Sequence, residues 1–181
     1  CDNYYNPNAT IDNGNCSNLF DVMPSGYCIP EEYINNYTNY ISRFVIDTMD
    51  SGYYPNINQF SPSYTDNSDL IVGLEAGSEH EAFVQVISQG TYGTGFSGQI
   101  GIDIFIDFNR DGDFEDENEN CFSHSGNSLG NVQNSMNYSP VISVPTNITH
   151  GLTKIRVVTY ITSEFPTGIN FGCINEYNGE I

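Results

Sequence analysis

Asp107, Asn109, Asp111 and Asp113 recur at every second position, with Gly112 inside the series. Each offers oxygen. Calcium is a hard cation that takes roughly six to eight oxygen ligands, so a loop that binds it must bring several oxygens to one point. D-x-N-x-D-G-D is a spacing that does so, and glycine at its sixth position permits the sharp turn. The expected cofactor is Ca2+, with Asp107, Asn109 and Asp111 ligating by side chain and Asp113 by its carbonyl or carboxylate. Asn118 occupies the twelfth position, where a helix-entered calcium loop carries a bidentate Glu. Glu119, close by, is expected to close the set. Asp103 lies four residues back along an extended strand, at about 3.4 Å per residue, and is not expected to reach the ion.

Other chemistry finds little support. His80, His124 and His150 form no H-x-x-x-H or H-E-x-x-H arrangement, and no G-x-S-x-G nucleophile elbow occurs. Paired carboxylates in a glycosidase must face each other across a cleft, and the acidic run at 111–119 has a simpler use as a metal loop. The expectation is a non-enzymatic protein. Tyr53, Tyr54, Tyr64 and Tyr92 fall in loop-like stretches, where exposed aromatics can stack on sugars or anchor a partner. They are the candidate ligand-facing residues.

The strand that must position the loop is legible. Ile100, Ile102, Ile104, Ile106 and Phe108 alternate with Gly101, Asp103, Phe105 and Asp107, the period of two of a strand with one apolar face. Further strands are predicted at Tyr40–Thr48, Asp69–Glu75, Glu81–Ser88, Val141–Val144 and Leu152–Thr162, with a last one around Tyr177–Ile181. Cys121 and Phe122 start the return from the loop. Residues 50–68 and 89–98 read as long loops, and residues 123–138 are polar and rich in Gly, Asn and Ser. Short apolar segments between turn residues, with no helical period, predict an all-β, antiparallel, jelly-roll-like β-sandwich.

The chain has 181 residues, with 4 Lys plus Arg against 23 Asp plus Glu and a formal net charge of -19. That balance argues against nucleic acid or an anionic membrane surface as partner. It suits a solvated extracellular surface and divalent cations. No apolar run is long enough to span a bilayer, so no membrane insertion is expected. The chain starts at Cys1, as a processed product would.

Cys1, Cys16, Cys28, Cys121 and Cys173 form no C-x-x-C pair, which disfavours zinc. In an exported protein disulfides are expected, and an odd count leaves one thiol over. The expected pairs are Cys1–Cys16 and Cys28–Cys173, with Cys121 reduced and buried beside Phe122. Residues 1–20 then form a small stapled unit built on turn chemistry. Residues 27–181 form the main domain.

The segment from Tyr5 to Cys16 resembles cysteine-bracketed repeats of secreted Bacteroidota proteins, related in style to thrombospondin type 3 repeats. Across residues 27–181 a longer series follows. It runs from Tyr27-Cys28 and Tyr40-Ile41-Ser42 through Ser63-Tyr64-Thr65-Asp66 and Leu74-Glu75-Ala76-Gly77-Ser78. Its centre is Ile104-Phe105-Ile106-Asp107-Phe108-Asn109-Arg110-Asp111-Gly112-Asp113-Phe114. Ile142-Ser143-Val144-Pro145, Gly151-Leu152-Thr153-Lys154-Ile155-Arg156-Val157 and Tyr177-Asn178-Gly179-Glu180-Ile181 close it. In that order these motifs resemble the GEVED domain of large secreted and surface proteins of Bacteroidota. The resemblance implies a β-sandwich, export and a non-catalytic role. It supplies no ligand.

The expected function is a calcium-stabilised structural or adhesive module of an extracellular or cell-surface protein, with a filament subunit as one form. The alternative is a carbohydrate-binding module using the loop tyrosines. The expected partners are other surface proteins, glycans, or further copies of the chain in head-to-tail contact through a short final strand.

Overall fold

The computed structural model describes residues 23–27, 39–53, 65–88, 99–128, 134–161 and 179–180. Throughout these it is strand, turn or irregular backbone, without helix. The strands are β1 (Asn39–Ile46), β2 (Met49–Asp50), β3 (Glu79–Ser88), β4 (Gln99–Ile106), β5 (Asn120–Ser128), β6 (Asn134–Tyr138), β7 (Val141–Ser143), β8 (Ile155–Ile161) and β9 (Gly179–Glu180). One sheet has the order β2-β1-β3-β6, with β7 also on β3, and the other β5-β4-β8-β9. All the pairings are antiparallel.

The sequence explains how the sheets meet. Ile100, Ile102, Ile104 and Ile106 of β4 are buried to 1 % exposure or less and face Phe44 and Ile46 of β1, Val84 and Val86 of β3, and Ile142 of β7 within one core. β1 breaks strict alternation, because its core residues are Ile41, Phe44 and Ile46. A register shift between Ile41 and Arg43 accounts for this, inserting Ser42 as an extra residue. The Ser42 hydroxyl lies 2.9 Å from the Gln85 side-chain oxygen and 3.2 Å from the Gln85 carbonyl.

The opposite face of the second sheet is also apolar. Phe105, Val158 and Tyr160 point away from the main core and join Phe114 in a second buried cluster, with Tyr27 packed against it. Gly101 is required there, because a Cβ would collide with the Tyr160 ring that crosses it. Asp103, on the same face and 1 % exposed, accepts hydrogen bonds from the Ser123 and Tyr160 hydroxyls. Burial raises its pKa above the ordinary carboxylate range, and the Ser123 and Tyr160 bonds draw it back in part.

Two expectations are corrected. Asp69–Glu75 forms no strand; residues 68–69 turn, and the chain then runs on as irregular backbone. Val72 and Leu74 still pack against the core. They help line an apolar cavity of about 270 Å3 with Ile148, Leu152 and Ile155. Their alternation therefore reports one-sided burial, without a ladder. Conversely, the polar stretch 123–138 carries the rest of β5 and all of β6. β5 pairs with β4 and leaves Ser123, His124 and Ser125 exposed, so its polarity suits an outer strand. The last predicted strand is present in part, as Gly179 and Glu180 against Thr159 and Val158.

The residues 1–20 unit, both expected disulfides, and Tyr54, Tyr64 and Tyr92 lie outside the described residues. Cys121 is a free, half-buried thiol packed on the core, 3.3 Å from the Glu119 carbonyl. Burial pushes the thiol up to about 12.

Candidate metal centre

β4 delivers Asp107 to the end of the sandwich, and β5 takes the chain back from Glu119. Between them the loop wraps through three left-handed residues, Arg110 (φ 65), Gly112 (φ 97) and Asn118 (φ 76). Glycine adopts that region freely and asparagine tolerates it, but arginine is strained there. Hydrogen bonds hold Arg110 in place. Its amide donates to Asp107 Oδ1 at 2.5 Å, and its guanidinium donates to the carbonyls of Leu152 (3.0 Å) and His150 (2.9 Å).

The alternating side chains fold the loop onto itself. The amides of Asp111, Asp113 and Glu115 each donate to the side-chain oxygen two residues back, on Asn109, Asp111 and Asp113. This is the Asx-turn habit of short acidic and amide residues. The loop has two tiers. In the outer tier the carboxylate oxygens of Asp111, Asp113 and Asp116 lie within 4.8 Å of one another. Asn109 Nδ2 donates to Asp111 (2.9 Å) and Asp116 (2.6 Å), and the Asn109 oxygen receives the Asp111 amide. The Asn109 bond, foremost, lowers the Asp111 pKa, whereas the adjoining Asp111 raises that of Asp116.

The inner tier is Asp107 and Glu119, at 0 % and 1 % exposure. Glu119 accepts the amides of Phe108 (3.1 Å) and Asp116 (3.4 Å), closing the loop between its two ends. Burial, and next the Asp107 charge, push its carboxyl up to about 7. Asp107 accepts from Tyr27 Oη (2.5 Å), the Arg110 amide and the Gly112 amide (3.1 Å). A carboxylate has about four acceptor directions, so three donors leave one for a cation.

Of the expected ligands, the structure brings Asp111 and Asp113 together, with Asp116, while Asp107 and Glu119 lie outside that group as the buried start and end of the loop. Asn109 bridges Asp111 to Asp116. The sequence reading did not include Asp116, which lies off the alternating series. A turn returns it, with the Glu119 amide 3.3 Å from the Asp116 carbonyl. The acidic run 115–119 was its signal. The donor set is oxygen throughout, which fits a hard divalent cation and excludes a soft-metal site. Gly112 is also required by packing, since a Cβ there would collide with the Ser25 carbonyl.

Phe114 anchors the loop. It is 1 % exposed, with ring centroids 5.4 Å from Tyr27 and 6.0 Å from Phe105. The Arg156 guanidinium lies 4.8 Å over its ring. Of the candidate sugar-facing residues, Tyr53 is described, and it is 55 % exposed.

A second polar constellation went unread in the sequence. Ser78 Oγ lies 2.6 Å from His80 Nε2, and His80 Nδ1 lies 2.5 Å from Asp47 Oδ2. The order of groups is that of a hydrolytic triad, but the proton count differs. The Ser78 hydroxyl donates to the Glu75 carbonyl, so it must accept from the imidazole. A nucleophilic serine directs its proton at the imidazole. The constellation ties the exposed Asp47–Thr48 turn to the start of β3.

Among the described residues, no helix is long and apolar enough to cross a membrane. No curated protein and no solved structure matches the chain. Residues 101–181, which take in β4 from its third residue, the whole acidic loop and every later strand, match the GEVED domain family.

Proposed function

We propose that the protein is a calcium-stabilised, non-catalytic module of an exported structural or adhesive protein. The observation that carries this reading is the two-tier acidic loop. Asp111, Asp113 and Asp116 converge within 4.8 Å of one another, and the same loop begins and ends on two buried carboxylates, Asp107 and Glu119. Like charges held as close as Asp111, Asp113 and Asp116 repel, and one divalent cation among them would remove that repulsion. Asp107, Asp111, Asp113 and Asp116 are the candidate side-chain ligands, with Asn109 and Glu119 shaping the loop and available to the ion. The ion would supply charge neutralisation and hold β4 to β5. Export fits the acidic surface charge.

Calorimetric titration of the full chain with Ca2+ tests the reading. The wild type is expected to bind one ion at this loop, and a D111N/D116N variant to bind at least tenfold more weakly. Equal binding by the two proteins would move the site elsewhere, and absence of binding by the wild type would remove the calcium reading. The sugar-binding alternative has one described residue in its favour, the exposed Tyr53.

A further inference from the structure

Residues 25–27 lie on the acidic loop, and their contacts fall on Asp107, Gly112 and Phe114. Tyr27, 80 residues before Asp107 in the chain, places its hydroxyl 2.5 Å from Asp107 Oδ2. The same hydroxyl lies 3.1 Å from Thr153 Oγ1. Thr153 in turn donates to the Asp107 carbonyl at 2.5 Å. Two hydroxyls from distant segments therefore grip one residue, at its carboxylate and at its backbone. The Tyr27 ring packs on Phe114, and Lys154 Nζ sits over it, 5.2 Å from its centroid. Gly26 (φ 124) faces the loop's sharp turn, where a Cβ built on it would lie 3.5 Å from the Gly112 carbonyl oxygen.

We infer that Tyr27 is a positioning residue for the metal centre, and that ion binding is coupled to the seating of the Ser25–Tyr27 strap on the loop. The inference rests on the calcium reading above. Hydrogen bonds to a ligating carboxylate fix its orientation, and removing such a partner commonly weakens metal affinity 10- to 100-fold. Tyr27 supplies that bond to Asp107 from outside the loop. The coupling is reciprocal by linkage. A strap that aligns Asp107 favours the bound ion, and the bound ion, by fixing Asp107 and Gly112, holds the strap on the sandwich.

Terbium is the probe. Tb3+ takes oxygen ligands as Ca2+ does, and its emission under tyrosine excitation reports a tyrosine within a few ångströms. The chain has no Trp to compete. In the full-length wild type, tyrosine-sensitised Tb3+ emission is expected, and calcium should quench it by displacement. Y27F, confirmed as folded by circular dichroism, should lose most of that emission. It should still bind Ca2+, about tenfold or more weakly by calorimetry. Hydrogen exchange at the amides of residues 23–27 should slow when calcium is added to the wild type, and change much less in Y27F. T153V, which removes the grip on the Asp107 carbonyl and keeps Tyr27, should weaken Ca2+ binding while retaining sensitised emission. If wild type and Y27F bind calcium within twofold and show the same exchange at 23–27 with and without the ion, the inference is overturned while the calcium reading stands. If the wild type binds neither ion, both fall together.

Discussion

Replacing Phe114 with alanine removes the side chain that fastens the acidic loop to the outer face of the second sheet. The ring is 1 % exposed and touches three partners, Tyr27, Phe105 and Arg156. Truncating a buried phenylalanine to alanine costs about 3–5 kcal/mol, made up of lost transfer free energy and the cavity left behind. The aromatic pairs and the Arg156 contact, worth about 0.5–1.5 kcal/mol each, lie within or slightly above that range. For a chain of this size 1 kcal/mol corresponds to about 2–4 °C in Tm, so the expected drop is about 6–20 °C. F114L keeps most of the volume and loses the ring contacts, so it should fall between. Calorimetric melting in excess chelator measures the effect without a bound ion. A Tm for F114A within about 2 °C of wild type would refute the anchoring argument.

Further outcomes follow from the described contacts. G101A should destabilise by about 1–3 kcal/mol in urea titration, because the new methyl meets the Tyr160 ring and overpacking strains the site. Asp103 has a folded pKa above its unfolded value of about 3.9, so the native state takes up a proton more readily than the unfolded chain. Its carboxylate therefore costs most above the folded pKa, and the cost fades as pH falls toward the unfolded value. Wild type should gain stability relative to D103N on acidification below neutral pH, and parallel urea midpoints across pH 4–7 would contradict this. A double-mutant cycle between Asp47 and His80 should give a coupling of about 0.5–1.5 kcal/mol. Ser78 should resist a fluorophosphonate probe, because its proton points at Glu75.

Much of the scaffold was legible in the sequence. Four isoleucines at alternate positions fall on the inner face of β4, and the same alternation placed β3 and β8. The D-x-N-x-D-G-D spacing located the loop and its turn at Gly112. What was misread has physical reasons. Val72 and Leu74 alternate because one side of their segment covers apolar surface, a pattern strands share. β5 and β6 are polar because much of their length faces water, so hydrophobic periodicity passes over them. By contrast β1 was read, as Tyr40–Thr48, despite the bulge at Ser42 that breaks its alternation. Asp116 reaches the site through a turn, and Tyr27 reaches Asp107 across 80 residues. Neither contact is written in local spacing. Likewise the two hydrogen bonds of His80 join Ser78, two residues back, to Asp47 on a separate turn, and no short motif connects them.

The most direct test of the central claim is thermal unfolding of the full chain with and without calcium. A ligand bound by the native state alone stabilises it by about 2.7 kcal/mol at a hundred times its Kd, which is about 5–11 °C for a chain of this size. The account predicts that rise for wild type over excess chelator, and its loss in D111N/D116N. Coincident melts of the wild type in calcium and in chelator would contradict it.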